Sequence, residues 1–158
     1  LEDGSILVSE MGTGKLLRLS GADLGERIDV LNGLQGPVQM IRARDGMVYL
    51  TQMSGVLSRF TPATGELTSV AEGLRLPEGL AELPDGHLLV AEPSPQRLAT
   101  INPQTGESTI AAEQLPIGLK PGPGMPPTGI PTALAADAQG RVYFASDIDN
   151  GLYRLTPQ

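Results

Sequence analysis

The sequence of 158 residues contains no cysteine and no tryptophan, one histidine, and aromatic residues at only 3%. The absence of cysteine excludes disulfides, thiolate metal sites and a cysteine nucleophile. His87 stands alone, so the sequence does not support a zinc site or a histidine-based triad in this segment. With so few aromatic residues, the core must be built mainly from Leu, Val, Ile and Ala.

Long apolar runs and positive charge are also scarce. No stretch approaches the roughly 18 apolar residues that cross a membrane, and no signal peptide is recognisable. Lys and Arg number 11 against 18 Asp and Glu, for a formal net charge of −7. Because a polyanion would be repelled, we expect no nucleic-acid partner, and we expect no membrane association. The compartment stays open, and a secreted or periplasmic location is compatible with these absences.

What the sequence does have is glycine and proline, 20 and 14 residues, which recur in phase. A copy has a proline, a glycine nine residues later and a short apolar run, and three of the four copies have an arginine about fourteen residues past the glycine, where the copy at Gly86 has Thr100. The pairs are Pro37 and Gly46, Pro77 and Gly86, and Pro131 and Gly140, with Gly4 starting a further copy. A period of about 40 residues is typical of repeat folds.

Each copy predicts four short antiparallel strands, A to D. Strand A follows the proline, and strand B is the apolar run after the glycine. Strand C carries the arginine, and strand D is a more polar segment. The runs in strand B, such as Val48-Tyr49-Leu50, are continuous, which is typical of strands covered on both faces. The sequence therefore predicts an all-β fold, a β-propeller of four-stranded antiparallel blades.

The strand count predicts about three and a half blades of a six- or seven-bladed ring, in a single partial domain over 1–158. Strands B to D of the first blade occupy 1–34, and the complete second and third blades occupy 36–74 and 76–114. An insertion follows at 115–131, and strands A to C of the fourth blade occupy 131–158. We expect the C-terminal part of a larger propeller, closed by the rest of a longer chain or by self-association.

Three phrases carry a resemblance to a known family. They are Leu-Pro-Glu-Gly-Leu-Ala at 76–81, Pro-Asp-Gly-His-Leu-Leu-Val-Ala-Glu at 84–92 and Gly-Leu-Tyr-Arg-Leu at 151–155. They resemble the six-bladed, calcium-dependent lactonase-like superfamily, which includes senescence marker protein and the gluconolactonases, NHL-repeat proteins and strictosidine-synthase-like proteins. The resemblance implies a divalent cation. In gluconolactonase-like members an Asn after the proline ligates the metal, where this sequence has Val38, Glu78 and Thr132.

The start of strand A and the end of strand B lie at the same end of an antiparallel blade. This places the residues after the prolines beside Glu10, Gln52, Glu92 and Ser146, with Asp147 adjacent. Oxygen ligands suit Ca²⁺ or Mg²⁺, so we predict a cation site formed by Glu78 with Glu92, Glu10 or Asp147. The alternative is that these acids are turn residues that bond loop amides.

The insertion is the second candidate, because it holds six Pro and four Gly in seventeen residues. Structureless loops of this length are commonly lids or binding loops. We predict a wall for a ligand on the same face, formed by Pro116, Lys120, Met125 and Thr128, with Thr132 just after it. A strut between blades or a mobile loop is the alternative.

Three functions stay open. The sequence favours a ligand-binding or scaffold propeller segment, with a small molecule or a protein bound on this face. The alternative is part of a metal-dependent lactone hydrolase of the gluconolactonase type, in which bound Ca²⁺ would act as a Lewis acid. A strictosidine-synthase-like protein is the third possibility. The repeated Arg18, Arg59 and Arg154 are expected to have a structural role, pairing with polar groups of neighbouring strands.

Overall fold

The computed structural model describes residues 1–119, 122 and 132–156. Within them the chain forms fourteen strands in four antiparallel sheets. The first sheet contains β1 (Ile6–Glu10), β2 (Lys15–Ser20) and β3 (Glu26–Leu31). The second contains β4 (Pro37–Arg42), β5 (Val48–Gln52), β6 (Val56–Thr61) and β7 (Glu66–Ala71). The third contains β8 (Leu80–Glu82), β9 (Leu88–Glu92), β10 (Arg97–Ile101) and β11 (Ser108–Ala112). The fourth contains β12 (Leu134–Ala136), β13 (Val142–Ala145) and β14 (Leu152–Leu155).

In every sheet the neighbouring strands are consecutive in the sequence, so each sheet is a simple meander. Strands A, B, C and D of the repeat correspond to β4–β7 in the second sheet and to β8–β11 in the third. The all-β class and the four-stranded repeat are therefore confirmed. No helix in the described part of the chain is long and apolar enough to cross a membrane.

The Asp-Gly pairs form the turns between strands A and B. In the second sheet the Ala43 amide donates to the Met47 carbonyl, and the Gly46 amide donates back to the Ala43 carbonyl. Gly46 has a φ of 81°, a conformation that glycine adopts without steric cost. The Asp45 carboxylate accepts from the Met47 amide at 2.9 Å. The same turn recurs at 83–87, which explains why an Asp-Gly pair precedes strand B there as well.

Strand B of each complete blade is buried on both sides because it supplies two cores at once. In β5, Val48 and Leu50 join one apolar cluster with residues of the first sheet, while Tyr49 joins another with residues of the third sheet. In β9, Leu88 and Leu89 divide in the same way between the cores on either side. This alternation with period two accounts for the continuous apolar runs in the sequence.

The innermost strands β1, β4, β8 and β12 lie next to one another in chain order. Gln39 on β4 links two of these sheets, since its amide donates to the Leu80 carbonyl at 3.1 Å and accepts from the Leu80 amide at 3.2 Å. The Thr51 hydroxyl donates to the Glu78 carbonyl at 2.7 Å. The sheets are therefore joined at their inner edges by polar contacts as well as by the apolar clusters.

Candidate functional site

One end of the sheets, here called the upper end, brings together the beginnings of β4, β8 and β12 and the ends of strands β1, β5, β9 and β13. Pro37 lies opposite Gln52 in the register of β4 and β5. In the next blade the Glu78 amide donates to the Ala91 carbonyl at 2.9 Å. The expected antiparallel geometry is thus present, and the candidate residues lie at the upper end.

Glu78 lies at the inner edge of the third sheet, with only 5% of its surface exposed. Its Oε2 accepts a hydrogen bond from the Thr132 amide at 2.7 Å, which joins the third sheet to the fourth. Burial raises the pKa of this carboxyl above its usual 4.5, and the charge of Asp147 raises it further, against the opposing effect of Thr132. Glu78 is therefore a carboxylate whose charge is poorly solvated and has a second negative charge nearby.

Thr132 occupies the equivalent position in the fourth sheet and is 1% exposed. Its hydroxyl oxygen is buried and has no partner of good hydrogen-bond geometry among the described residues, but it lies close enough to the Glu78 carboxylate to lower the pKa of that group. An unpaired buried hydroxyl costs free energy, and such groups commonly mark a site for a water molecule or a ligand. Glu78 and Thr132 thus form a buried polar pair between the third and fourth sheets.

Asp147 lies in the loop after β13 and holds the start of the insertion. Its Oδ1 accepts from the Gly118 amide at 2.8 Å and its Oδ2 from the Leu119 amide at 2.7 Å. These residues are 28 and 29 positions apart in the sequence, and no local signal indicates the contact. The carboxylate binds loop amides, which is the alternative that the sequence left open.

Glu92 is fully buried and already paired. Its Oε2 accepts from the Arg97 Nε at 2.6 Å, and its Oε1 accepts from the Arg75 amide at 2.6 Å. The ion pair raises the pKa of Arg97. At the same position in the second sheet, the Gln52 side chain accepts from the Gln35 backbone amide at 2.7 Å. In both blades, the last residue of strand B therefore binds an amide of the loop that connects it to the preceding blade. Glu92 and Arg97 lie directly opposite in register, a signal that the sequence did contain.

Glu10 has partners of its own at the end of β1. It accepts hydrogen bonds from the Thr13 hydroxyl and from the Arg27 guanidinium, both at 2.7 Å. The Thr13 hydroxyl, followed by the charges of Arg27 and Lys15, lowers the pKa of this carboxyl. Glu10 therefore lies within the first sheet's own network of ion pairs.

The first residues of the insertion belong to the core rather than to a loop. Ile117 is 0% exposed and packs in the cluster between the third and fourth sheets, and Pro116 beside it is half-buried. The Leu115 amide donates to the Gln96 carbonyl at 3.0 Å, and an added Cβ at Gly118 would lie 2.2 Å from the Pro93 carbonyl oxygen. The predicted wall residues Lys120, Met125 and Thr128 lie outside the described residues.

The four predicted cation ligands are not brought together as one set. Glu78 and Asp147 are close enough to interact electrostatically, whereas Glu92 and Glu10 each pair with an arginine. Within residues 1–119, 122 and 132–156 there is no group of three or more His, Asp or Glu side chains that could hold a metal ion. The described residues do not fit a site made only of carboxylates, and a cation at Glu78 and Asp147 stays a prediction.

Solved structures provide the comparison with known proteins. A catalytically inactive variant of virginiamycin B lyase from Staphylococcus aureus, with quinupristin, matches 98% of this chain at a TM-score of 0.71 and 19% identity. A gluconolactonase from Xanthomonas campestris matches 98% at 0.68 and 21% identity. A nidogen/laminin complex matches 95% at 0.70 and 17% identity. The chain shares the β-propeller fold of these three proteins.

The predicted propeller fold, and the family resemblance as far as it concerns that fold, are therefore confirmed. The chain spans 49%, 59% and 56% of the length of these three propeller chains, which accords with a partial propeller. No protein-family model matches the sequence, and no curated protein matches it. At these identities the propeller fold is what the similarity establishes, so function must be argued from the residues at the upper end.

Proposed function

We propose that the chain is the ligand-binding segment of a β-propeller, with the ligand held at the upper end by Glu78, Thr132 and Asp147. The observation that carries the proposal is the buried Thr132 hydroxyl, which lies beside the Glu78 carboxylate and has no other partner among the described residues. Folding has already desolvated both groups, so a ligand that bonds them would recover free energy lost on their burial.

The chemistry of these groups selects the class of ligand. Two carboxylates accept hydrogen bonds, and one hydroxyl can donate or accept. A neutral molecule with several hydroxyl groups fits this set, because its hydroxyls can donate to Glu78 and Asp147 and bond the Thr132 oxygen. A small anion would be repelled by both carboxylates. We therefore propose a polyhydroxylated small molecule, in preference to the scaffold function that the sequence also allowed.

A metal-dependent lactone hydrolase is the second candidate, and the oxygen donors at the same position favour it. Glu78, Asp147 and the Thr132 hydroxyl could supply part of the shell of a Ca²⁺ ion, which prefers six to eight oxygen ligands. A bound cation would polarise a lactone carbonyl. The similarity of fold to a gluconolactonase supports this alternative without assigning any residue.

The test uses glucono-1,5-lactone as the probe and gluconate, an anion that both carboxylates should repel, as the control, with the chain first in EDTA and then in millimolar calcium. Binding of the lactone in EDTA by calorimetry, weakened at least tenfold in Thr132→Val, is the expected result. Hydrolysis that requires calcium, together with a calcium-dependent rise in the thermal midpoint that Glu78→Gln abolishes, would establish the hydrolase instead. If the lactone does not bind and calcium does not shift the midpoint, both proposals are wrong.

A further inference from the structure

A polar cleft lies between the second and third sheets, at the end of the strands opposite to the candidate site. It has a volume of about 220 Å³ and lies between β6 and β7 on one side and the turn after β10 on the other. Its lining residues are Arg59, Thr68, Ser69, Val70 and 103–106. This lining contains one cationic side chain, three hydroxyls and one amide, and no carboxylate.

Arg59 is unusual among the arginines of the described residues. Six of them form ion pairs with a carboxylate, namely Arg18, Arg27, Arg42, Arg44, Arg97 and Arg141. Arg75 and Arg154 are exposed to solvent. Arg59 is half-buried, has no carboxylate within ion-pair distance in the described part of the chain, and its Nε is buried without an acceptor. A partly desolvated cation of this kind favours an anionic partner.

Comparison with the first sheet explains why, within the described residues, Arg59 has no ion pair and only the Tyr49 hydroxyl near it. In the first sheet, Arg18 donates from Nε to the Ser5 hydroxyl at 2.9 Å and forms an ion pair with Asp3. The equivalent residues in the second sheet are Met47 and Asp45. Methionine provides no comparable oxygen acceptor, and the Asp45 carboxylate accepts from the Tyr49 hydroxyl at 2.9 Å. The arginine at this repeat position thus has an ion pair with a carboxylate in the first sheet and none in the second.

The opposite wall of the cleft is rigid. In the turn after β10, the Asn102 carboxamide accepts from the Gln104 and Thr105 amides, and the Gly106 amide donates to the Asn102 carbonyl. Gly106 packs so closely on β7 that an added Cβ would lie 2.3 Å from the Val70 carbonyl oxygen. The Thr105 hydroxyl, whose oxygen accepts from the Glu107 amide at 3.2 Å, is therefore held across the cleft from Arg59.

We propose that this cleft binds a tetrahedral oxyanion, phosphate or sulfate, either free or as the monoester group of a larger molecule. A guanidinium with adjacent hydroxyl and amide donors supplies more hydrogen bonds than a carboxylate can accept, and it suits the oxygens of a phosphate. The site is separate from the upper end, where two carboxylates would repel the same anion. It thus adds a second binding function on the opposite face of the propeller.

The experiment titrates the chain with inorganic phosphate at constant ionic strength, with chloride as the reference salt, and follows the thermal midpoint and the ³¹P line width. We expect phosphate and sulfate to raise the midpoint, and Arg59→Gln to abolish the effect. Arg154→Gln is the matched control, since it removes the arginine at the same repeat position but away from the cleft, and it should leave the response intact. Phenyl phosphate distinguishes the two sources, because tighter binding than inorganic phosphate indicates a monoester.

A second variant keeps the test valid if Arg59→Gln fails to fold. Thr105→Val removes a cleft hydroxyl from an exposed turn position, and it should weaken phosphate binding several-fold, while the loss of its hydrogen bond from the Glu107 amide lowers the midpoint in chloride only slightly. An equal response of wild type and Arg59→Gln overturns the proposal. The absence of any phosphate-specific shift in the wild type, up to tens of millimolar, also overturns it.

Discussion

At the scale of single residues, two buried glutamates at the upper end have opposite energetic roles. Glu92 has its charge neutralised by Arg97 and bonds a loop amide with its second oxygen. Glu78 accepts one amide hydrogen bond, and both burial and Asp147 raise the pKa of its carboxyl. Glu92 stabilises the blade, whereas Glu78 carries a charge that the folded state disfavours. Such perturbed carboxyl groups are common at binding sites and active sites.

This difference predicts the effect of Glu78→Gln on stability. The pKa of Glu78 is raised in the folded state, so protonation of this carboxyl favours the folded protein. Its contribution to the free energy of unfolding is fully present below pH 4.5 and is lost as the pH rises through the pKa of the folded state. The glutamine keeps an acceptor for the Thr132 amide and removes the charge. We expect the thermal midpoint to rise at pH 7 by about 2–4 °C, the shift that ~1 kcal/mol produces in a domain of this size. The gain should shrink toward zero below pH 4.5.

Glu92→Gln is the matched control for that prediction, since it is the same substitution in a second buried glutamate. It weakens a charged hydrogen bond to Arg97 and should cost about 2 kcal/mol at pH 7. The measurement is the thermal midpoint of both variants and of the wild type between pH 4 and pH 8. A fall in midpoint for Glu78→Gln at pH 7 would contradict the assignment of Glu78 as a destabilised charge.

At the scale of elements, the segment that begins the insertion acts as a wedge between the third and fourth sheets. Ile117 fills the core, and Gly118 passes against the Pro93 carbonyl with a φ of 87°. Asp147 accepts hydrogen bonds from the amides of Gly118 and Leu119. The proline at 116 has no amide to donate, so the loop tie made by Gln52 and Glu92 in the earlier blades is replaced here by Asp147.

Gly118→Ala tests this wedge. The alanine would be strained at a positive φ and would also meet the Pro93 oxygen at 2.2 Å, so we expect a loss of about 2–3 kcal/mol. Gly46→Ala is the control, because Gly46 has a φ of 81° but an added Cβ there meets nothing within 4 Å. It should cost only about 1 kcal/mol. Equal losses in urea unfolding of the two variants would show that the close approach to Pro93 contributes nothing.

At the scale of the whole molecule, the sheets are held in their radial arrangement by apolar layers and by polar links between inner strands. The clusters on the two sides of β5 and β9 run from the first sheet to the fourth. Gln39 spans the gap between β4 and β8 with two hydrogen bonds to Leu80. Such links transmit stability from one blade to the next, as neighbour interfaces do in other repeat proteins.

Gln39→Met should weaken the link between the second and third sheets. The substitution preserves the length of the side chain and removes both hydrogen bonds, so we expect a loss of about 1 kcal/mol and several-fold faster hydrogen exchange at the Leu80 amide. Gln35→Met is the control, because the Gln35 side chain is exposed and only its backbone amide bonds Gln52. An unchanged exchange rate at Leu80 would mean that the apolar layers alone couple these blades.

The fold was predictable from the sequence because its signals are local. Asp45 and Gly46 form a turn by bonding within five residues, and the apolar run at Val48 indicates a strand buried on both faces wherever it lies in the chain. Each signal recurs at the same position of the repeat, so a strand that is poorly marked in one copy can be assigned from the other copies. Length, composition and repetition therefore determined the class, the order of the strands and the end of the blades where Glu78, Glu92 and Asp147 lie.

Tertiary structure alone decided which partners these acids have. Asp147 meets Gly118, Glu78 meets Thr132 and Arg59 faces the turn at Thr105, and each contact joins segments far apart in the sequence. Hydrogen bonding and charge pairing act over a few ångströms, so they depend on how neighbouring sheets pack rather than on a residue's place in its repeat. The sequence determined a propeller with acids at one end, and packing divided those acids into structural ties and a candidate binding site.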